Sequence, residues 1–234
     1  MRKGAAGCFW LRGHKHPPTC WNPEKNRINA ISVQKGLGDR LVSSLNLWFL
    51  VAGYFVMVAF LTIQELLRKT PEAKTFQRGA SEKGSMLLIG VTLGVGLWLP
   101  LIVDALGLAV FPIDIAEGTA ALAVMLFGLG LRVWAAVTLG GYYTRTLMTT
   151  ADHKVVTAGP YARVRHPAYL GVILLWSGFG VLSGDLVTAS IFPVMLVVVY
   201  LYRISVEEKM LVRELGEDYV QYQRKTRKLI PAVY

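Results

Sequence analysis

Long apolar runs constrain this sequence more than any other feature. A helix crosses the hydrocarbon core of a bilayer with roughly 20 apolar residues, because each residue rises about 1.5 Å. Three windows are long enough: Leu45–Leu67, Met86–Val103 and Ala116–Leu139. Two shorter blocks, Ala168–Leu182 and Leu186–Tyr202, are joined by a Ser-Gly-Asp turn and predict a helical hairpin. With 53% hydrophobic and only 17% charged residues, the chain is too apolar for an ordinary soluble domain. The sequence therefore predicts an all-α, polytopic integral membrane protein with about five transmembrane helices.

The distribution of the +10 net charge predicts an orientation. Short loops rich in Lys and Arg tend to stay in the cytoplasm. The linker 68–85 carries five such residues, whereas 104–115 and the turn at 183–185 carry none. This pattern puts the first linker, the segment 140–166 and the C-terminal tail inside, with the N-terminus outside. The N-terminal segment opposes it with eight basic residues of its own. Basic residues beside spans favour contact with membrane lipids and do not indicate nucleic-acid binding.

The first 43 residues predict a basic, largely irregular tail, because "HKHPP" and "NPEKN" are turn and breaker signals. Cys8, His14, His16 and Cys20 fit no common zinc spacing, so no metal site is expected. The two cysteines are either unpaired or joined in one disulfide if the tail faces an oxidising compartment.

The C-terminal end predicts an amphipathic helix. Leu211, Leu215, Tyr219 and Tyr222 recur at spacings of four, four and three, which is the helical period. Its basic end, from Arg224 to Lys228, suits a lipid headgroup surface.

The densest polar cluster of the chain stands at the start of the hairpin, in "GPYARVRHPAYLG". Pro167 suits the first turn of a helix, so Arg165 and His166 are expected at that helix's N-terminus. Arg203 and the pair Glu207 and Glu208 follow the second arm of the hairpin. If the two helices are antiparallel, both groups lie at one membrane face. Taken singly, the two arginines could be interfacial anchors and the two glutamates could solvate a helix end. Together, ionisable groups of both signs at one membrane depth indicate a site.

These motifs resemble a known family. "HKVV", "GPY", "RHPAYLG", then "R-x3-EE" and "LGEDYVQY" resemble the isoprenylcysteine carboxyl methyltransferases and their relatives among phospholipid N-methyltransferases. The resemblance covers about residues 140 to 233. Leu215 departs from it, because the family often has phenylalanine there, and the N-terminal tail is not explained by it.

The resemblance implies an integral-membrane enzyme that uses S-adenosylmethionine without a glycine-rich nucleotide-binding fingerprint. It implies catalytic roles for Arg203, which would meet the substrate carboxylate, and for Glu207, which would pair with positive groups of the cofactor. The remaining cofactor contacts would be Thr146, His153, Lys154, Val155, Val156, Tyr161, His166, Pro167, Ala168 and Tyr169. The cofactor pocket would face the cytoplasm, and a lipophilic substrate would enter from the bilayer. The chain then divides into the tail 1–43, three transmembrane helices in 44–139, and a cofactor-binding and catalytic region in 140–234.

Other functions remain open from the sequence. A phosphatidylethanolamine N-methyltransferase would share the cofactor site but would need a base for its amine. A sterol-type membrane reductase would need NADPH instead. A non-enzymatic membrane scaffold is the fourth alternative. The apolar residues that would choose the acceptor are generic, and the oligomeric state is not indicated.

Overall fold

The computed structural model describes residues 23–67, 80–106, 111–140 and 155–230. These ranges contain six α-helices: α1 (Pro23–Leu66), α2 (Ala80–Ala105), α3 (Ile115–Leu139), α4 (Pro167–Leu182), α5 (Phe192–Leu215) and α6 (Glu217–Lys225). A 3₁₀ turn at Gly159–Ala162 precedes α4, and a π-helical turn at Val187–Ile191 leads into α5. Extended backbone in these ranges pairs at an isolated bridge between Val164 and Arg227. The predicted all-α class is confirmed.

Four helical stretches are long and apolar enough to cross a membrane: Leu45–Leu66, Gly84–Ala105, Ile115–Leu139 and Val187–Leu215. The helix Pro167–Leu182 is apolar but shorter. Large apolar side chains face outward along these helices, and Trp48 and Phe55 of α1 are 71% and 76% exposed. Contact of such side chains with lipid is favourable, whereas their exposure to water costs free energy. The predicted multi-pass membrane architecture is confirmed, and the last apolar helix extends beyond the expected Tyr202.

The expectation of a largely irregular segment before residue 44 is wrong for residues 23–43, because α1 begins at Pro23. Proline is favoured at the first helical position, where its missing N–H costs nothing and its fixed φ suits the helix. The "NPEKN" motif is therefore a helix start and not a break. The chain forms two compact units, Met1–Ser44 and Leu45–Tyr234. The finer division at residue 140 stays a prediction, and Cys8, His14, His16 and Cys20 lie outside the described residues.

The hairpin between α4 and α5 is confirmed and closes on a polar turn. The Asp185 carboxylate is buried, accepting the Thr188 backbone N–H at 2.6 Å and the Ser183 hydroxyl at 2.7 Å. Gly184 has φ of +69°, a conformation that favours glycine. Both oxygens of the buried Asp185 carboxylate thus have hydrogen-bond donors, as a low-dielectric surrounding requires.

Glycines bring α3 and α4 into backbone contact. A Cβ at Gly128 would lie 2.5 Å from the Leu175 nitrogen, and one at Gly178 would lie 2.6 Å from the Ala121 oxygen. Gly171 likewise packs on the backbone of α3, so its small size serves helix packing. By contrast, a Cβ at Gly90, Gly94 or Gly130 would meet nothing within 4 Å. Packing of α4 on α3 fixes the position of the helix that carries the polar cluster.

A helix break shortens the predicted C-terminal amphipathic helix. Gly216, with φ of +58°, ends α5, so Leu211 and Leu215 belong to α5, whereas Tyr219 and Tyr222 belong to α6. The two tyrosines of α6 are buried and its basic end is exposed. The amphipathic helix is therefore confirmed, but its predicted start was wrong because Gly216 adopts a left-handed conformation that ends the preceding helix.

Candidate functional site

The N-terminus of α4 is tied to the C-terminal segment of the chain. Pro167 occupies the first position of α4, as predicted, and His166 caps it. The N–H groups of Arg165 and His166 donate to the carbonyls of Arg227 at 2.7 Å and Lys228 at 3.0 Å. These two N–H groups are thus satisfied by the protein itself. The pairing brings the segment after α6 alongside the start of α4.

Arg165 joins three parts of the fold. Its Nε lies 2.7 Å from Oε1 of Glu208 on α5, and its Nη1 donates to the carbonyls of Gln223 at 3.0 Å and Thr226 at 2.5 Å. His166 Nε2 lies 3.2 Å from the same Glu208 oxygen. The Arg165 and Glu208 side chains are only 7% and 10% exposed. Since breaking a buried ion pair leaves an uncompensated charge, this arrangement holds α4, α5 and the C-terminal segment together.

A second polar group lies on the same two helices. The Tyr169 hydroxyl of α4 donates to Glu207 Oε2 of α5 at 2.5 Å, and Arg203 Nε lies 3.5 Å from that hydroxyl. Arg203 Nη1 donates to the Ser85 hydroxyl of α2 at 2.8 Å. Arg203 is 3% exposed, and Ser85 is fully buried. Residues from α2, α4 and α5 thus surround one buried guanidinium.

Aromatic rings line this group. His166 and Tyr169 are stacked, with ring centroids 5.5 Å apart and planes within 5° of parallel. Tyr200 of α5 lies against Tyr169 at a centroid distance of 5.0 Å. Aromatic faces attract cations, and Glu207 adds a carboxylate beside them. This combination is chemically suited to a cationic group.

Two buried tyrosines of α6 lie against the segment that precedes α4. The Tyr222 hydroxyl of α6 donates to the Tyr161 carbonyl at 2.7 Å, and the rings of Tyr219 and Tyr222 lie 5.8 Å apart. Burial raises the pKa of Tyr222 to about 12 and raises that of Tyr219 further. Both phenols are therefore protonated at neutral pH, and Tyr222 acts as a hydrogen-bond donor.

The structure brings most of the predicted residues together. Tyr161, His166, Pro167 and Ala168 are buried, and Val155, Val156, Tyr169 and Glu207 are half-buried. Val156 packs with Tyr161 and Ala168 against Ala135 of α3. The predicted cofactor contacts Thr146, His153 and Lys154 lie outside the described residues. Within the described ranges, no group of three or more His, Cys, Asp or Glu side chains is arranged to hold a metal ion.

Sequence reasoning missed two features of the site. Glu207 and Glu208 serve separate clusters, which the helical geometry of adjacent residues could have indicated. The sequence does not indicate that Ser85 belongs to the site, because it is a single serine at the start of an apolar run. It lies 118 residues from Arg203 in the chain.

Residues 121–213 match the sequence profile of the isoprenylcysteine carboxyl methyltransferase (ICMT) family. The chain is 35% identical over 117 residues to the protein-S-isoprenylcysteine O-methyltransferase of Schizosaccharomyces pombe, covering 49% of this chain and 50% of the yeast protein. It is 29% identical over 163 residues to the uncharacterized protein YpbQ of Bacillus subtilis, covering 68% of this chain and 96% of YpbQ.

The fold also resembles a solved structure, that of a eukaryotic intramembrane Ras methyltransferase, ICMT. The TM-score is 0.54 at 21% identity, covering 82% of this chain and 73% of the other. The chain spans about half the length of the named methyltransferases that it matches, with 50% coverage of the S. pombe protein and 58% of an Arabidopsis thaliana relative. The matched segment holds Tyr169, Arg203 and Glu207, on the two helices that build the buried cluster. Residues 121–213 of this chain are therefore similar in sequence to the isoprenylcysteine carboxyl methyltransferase family.

Proposed function

We propose that this chain is an integral-membrane methyltransferase that transfers a methyl group from S-adenosylmethionine to the carboxylate of an isoprenylcysteine or a similar lipophilic acid. The observation that carries this proposal is the buried Arg203, 3% exposed, beside Tyr169 and Glu207 on contacting apolar helices. Burying a cation among apolar helices costs desolvation free energy unless it has polar partners. Such residues therefore commonly mark functional sites. Named relatives of the matched region are isoprenylcysteine O-methyltransferases.

Arg203 suits a carboxylate acceptor. Its planar guanidinium can hold two carboxylate oxygens through parallel hydrogen bonds, a geometry that a lysine cannot copy. A carboxylate is already ionised at neutral pH. Its methylation therefore requires alignment and exclusion of water more than it requires a general base. Arg203 would bind and orient the acceptor, and the surrounding apolar helices would keep water away.

An amine acceptor is less well served by this cluster. An amine must lose a proton before or during methylation, so a base would be needed. Glu207 already accepts the Tyr169 hydroxyl, and His166 already contacts Glu208. The buried guanidinium of Arg203, by contrast, offers a carboxylate an ionic partner. This favours the carboxylate acceptor over phosphatidylethanolamine.

The residues present fit a cationic methyl donor. When bound, S-adenosylmethionine would supply an electrophilic methyl group on a positive sulfur. Glu207 and the faces of Tyr169 and Tyr200 offer the carboxylate and the aromatic surface that cationic groups prefer. The proposed contacts are those that the motifs imply: Thr146, His153, Lys154, Val155, Val156, Tyr161, His166, Pro167, Ala168, Tyr169 and Glu207. Glu207 would hold positive groups of the donor while Arg203 holds the acceptor.

The site would face the cytoplasm, and the acceptor would enter between helices from the bilayer. The basic residues near the cluster support this orientation, since Arg224, Lys225 and Arg227 are exposed at the end where α4 begins. Exposed apolar side chains on α1 and α2 support access from lipid. A prenyl chain could then remain in the bilayer while its carboxylate reaches Arg203.

The function is tested by methyl transfer in reconstituted proteoliposomes. The purified protein is given radiolabelled S-adenosylmethionine with N-acetyl-S-farnesylcysteine or with phosphatidylethanolamine. We expect a base-labile methyl ester on the farnesylcysteine and no label on the phospholipid. Labelling of the phospholipid alone would change the acceptor class but keep the methyltransferase assignment. Saturable NADPH binding without S-adenosylhomocysteine binding would favour the reductase instead.

A further inference from the structure

Ser85 is a polar residue of the site that lies outside the family-matched segment. It stands in the second turn of α2, is fully buried, and its hydroxyl accepts a hydrogen bond from Arg203 Nη1 at 2.8 Å. On the other side of the guanidinium, Arg203 Nε lies 3.5 Å from the Tyr169 hydroxyl. The guanidinium of α5 is thus held by α2 on one side and by α4 on the other.

This two-sided arrangement constrains a side chain that is otherwise long and flexible. Arginine has several rotatable bonds and a planar head with five N–H donors. Bidentate recognition of a carboxylate depends on the orientation of that plane. A hydrogen bond from Nη1 to a rigid helix fixes the rotation of the head, and the contact at Nε limits its tilt. Because the guanidinium is already oriented in this way, it loses little conformational entropy when the acceptor binds.

We propose that Ser85 is a positioning residue, which orients the Arg203 guanidinium toward the carboxylate of the acceptor. This inference rests on the proposed function, because it assigns Ser85 a role in acceptor recognition. Ser85 acts through Arg203 and touches neither the donor nor the reacting atoms. Its removal therefore affects the acceptor and leaves the donor site unchanged.

The experiment compares Ser85→Ala with wild type in proteoliposomes. We expect the KM for N-acetyl-S-farnesylcysteine to rise about tenfold, which corresponds to about 1.4 kcal/mol. The affinity for S-adenosylhomocysteine, measured by calorimetry, stays at the wild-type value. Ser85→Thr, which keeps the hydroxyl, should have an acceptor KM close to that of wild type. In an Arg203→Lys background, Ser85→Ala has little further effect, because the group that it orients is already gone.

Thr92 provides a matched control on the same helix. It is also buried in α2, seven residues or about 10 Å along the axis from Ser85. Thr92→Val removes a buried hydroxyl of α2 at almost constant volume. We expect its acceptor KM to stay within about twofold of wild type, since the substitution leaves the Arg203 contact intact.

The outcomes separate this inference from the proposed function. Wild-type protein that methylates no acceptor contradicts the function itself. Active wild-type protein with an unchanged acceptor KM in Ser85→Ala overturns the role of Ser85 alone. An equal loss of S-adenosylhomocysteine binding, or an equal effect of Thr92→Val, shows a packing effect and also overturns it. If Ser85→Ala does not fold, Ser85→Cys takes its place with the same expectations, because a thiol is similar in size and a weak acceptor.

Discussion

Glu207 and Glu208 are neighbours on α5 but belong to different clusters. Glu207 accepts the hydroxyl of Tyr169 at 2.5 Å, whereas Glu208 lies 2.7 Å from Arg165 Nε. Consecutive helical residues point about 100° apart, so one acidic pair can serve two directions. Glu207 faces the group around Arg203, and Glu208 faces the start of α4 and the C-terminal segment. The pair therefore combines a residue of the candidate site, Glu207, with one that ties α5 to the start of α4, Glu208.

Replacing each glutamate by glutamine should separate these roles. Glu207→Gln should weaken binding of S-adenosylhomocysteine and leave thermal stability nearly unchanged, because its carbonyl can still accept the Tyr169 hydroxyl. Glu208→Gln should lower stability by about 1.5–3 kcal/mol, since it removes a charged partner from buried Arg165. Calorimetry and thermal unfolding in detergent measure the two effects. The assignment is wrong if Glu208→Gln unfolds like wild type while Glu207→Gln is the destabilised variant.

Arg203→Lys tests the class of acceptor. Lysine keeps the charge but loses the planar fork, so methylation of a carboxylate should fall by at least about tenfold, at about 1.4 kcal/mol per tenfold. Affinity for the donor should change little, because the proposed partner of Arg203 is the acceptor. For an amine acceptor the same change should be mild, since any remaining phosphate can be held by a point charge. Initial rates on N-acetyl-S-farnesylcysteine and on phosphatidylethanolamine distinguish these cases, and a near wild-type rate on the former contradicts the role given to Arg203.

Two glycines of α3 offer a matched test of the packing that holds α4. At Gly128 a Cβ would lie 2.5 Å from the Leu175 nitrogen, so Gly128→Ala forces the backbones apart and should cost about 1–3 kcal/mol. Gly130→Ala meets open space and should be neutral or slightly stabilising. Thermal unfolding measures the stability of the two variants, and titration with S-adenosylhomocysteine measures whether their donor sites are intact. Equal unfolding temperatures for the two variants would show that the α3–α4 contact is looser than described.

Local patterns explain why much of this architecture could be predicted. Long apolar runs determine the spans, and the proline of "RHPAY" determines where α4 begins, because both act within a few residues. The motif residues Tyr169, Arg203 and Glu207 could be named because the motifs that contain them resemble those of a known family. That the hairpin brings them together followed from its antiparallel arms.

Contacts distant in sequence could not be predicted in this way. Nothing near Ser85 indicates that it meets Arg203, since the contact depends on how α2 packs against α5. The pairing of Arg165 with the Arg227 carbonyl is also set by tertiary structure. The start of α1 at Pro23 was missed for a different reason, because an Asn-Pro sequence can mark either a break or a helix start.

The orientation of the membrane helices can be tested by labelling. Single cysteines at Val110 and Ala232, in a background with Cys8 and Cys20 replaced by serine, should react with an impermeant maleimide from opposite sides. The residue between α2 and α3 should be reached from outside, and the C-terminal residue only after the membrane is opened. This follows from the basic linker 68–85 and from segment 104–115, which contains no Lys or Arg. Labelling of both from one side would remove the basis for a cytoplasmic site.

Deprotonation of Tyr222 should loosen α6 at alkaline pH. Burial raises the pKa of Tyr222 from 10.0 to about 12, so the fold favours the neutral phenol, which donates to the Tyr161 carbonyl. The associated stability is fully present below pH about 10 and is lost as the pH rises toward 12, because only the unfolded chain releases the proton in that window. Tyr219 has a pKa raised further and stays protonated there. Tyr222→Phe should be less stable than wild type at neutral pH by about 1 kcal/mol, and its stability should fall less steeply above pH 10. Thermal unfolding against pH, with phenolate absorbance as a direct titration, measures this difference. Parallel pH profiles for the two proteins would show that Tyr222 is already ionised in the folded state near its ordinary pKa.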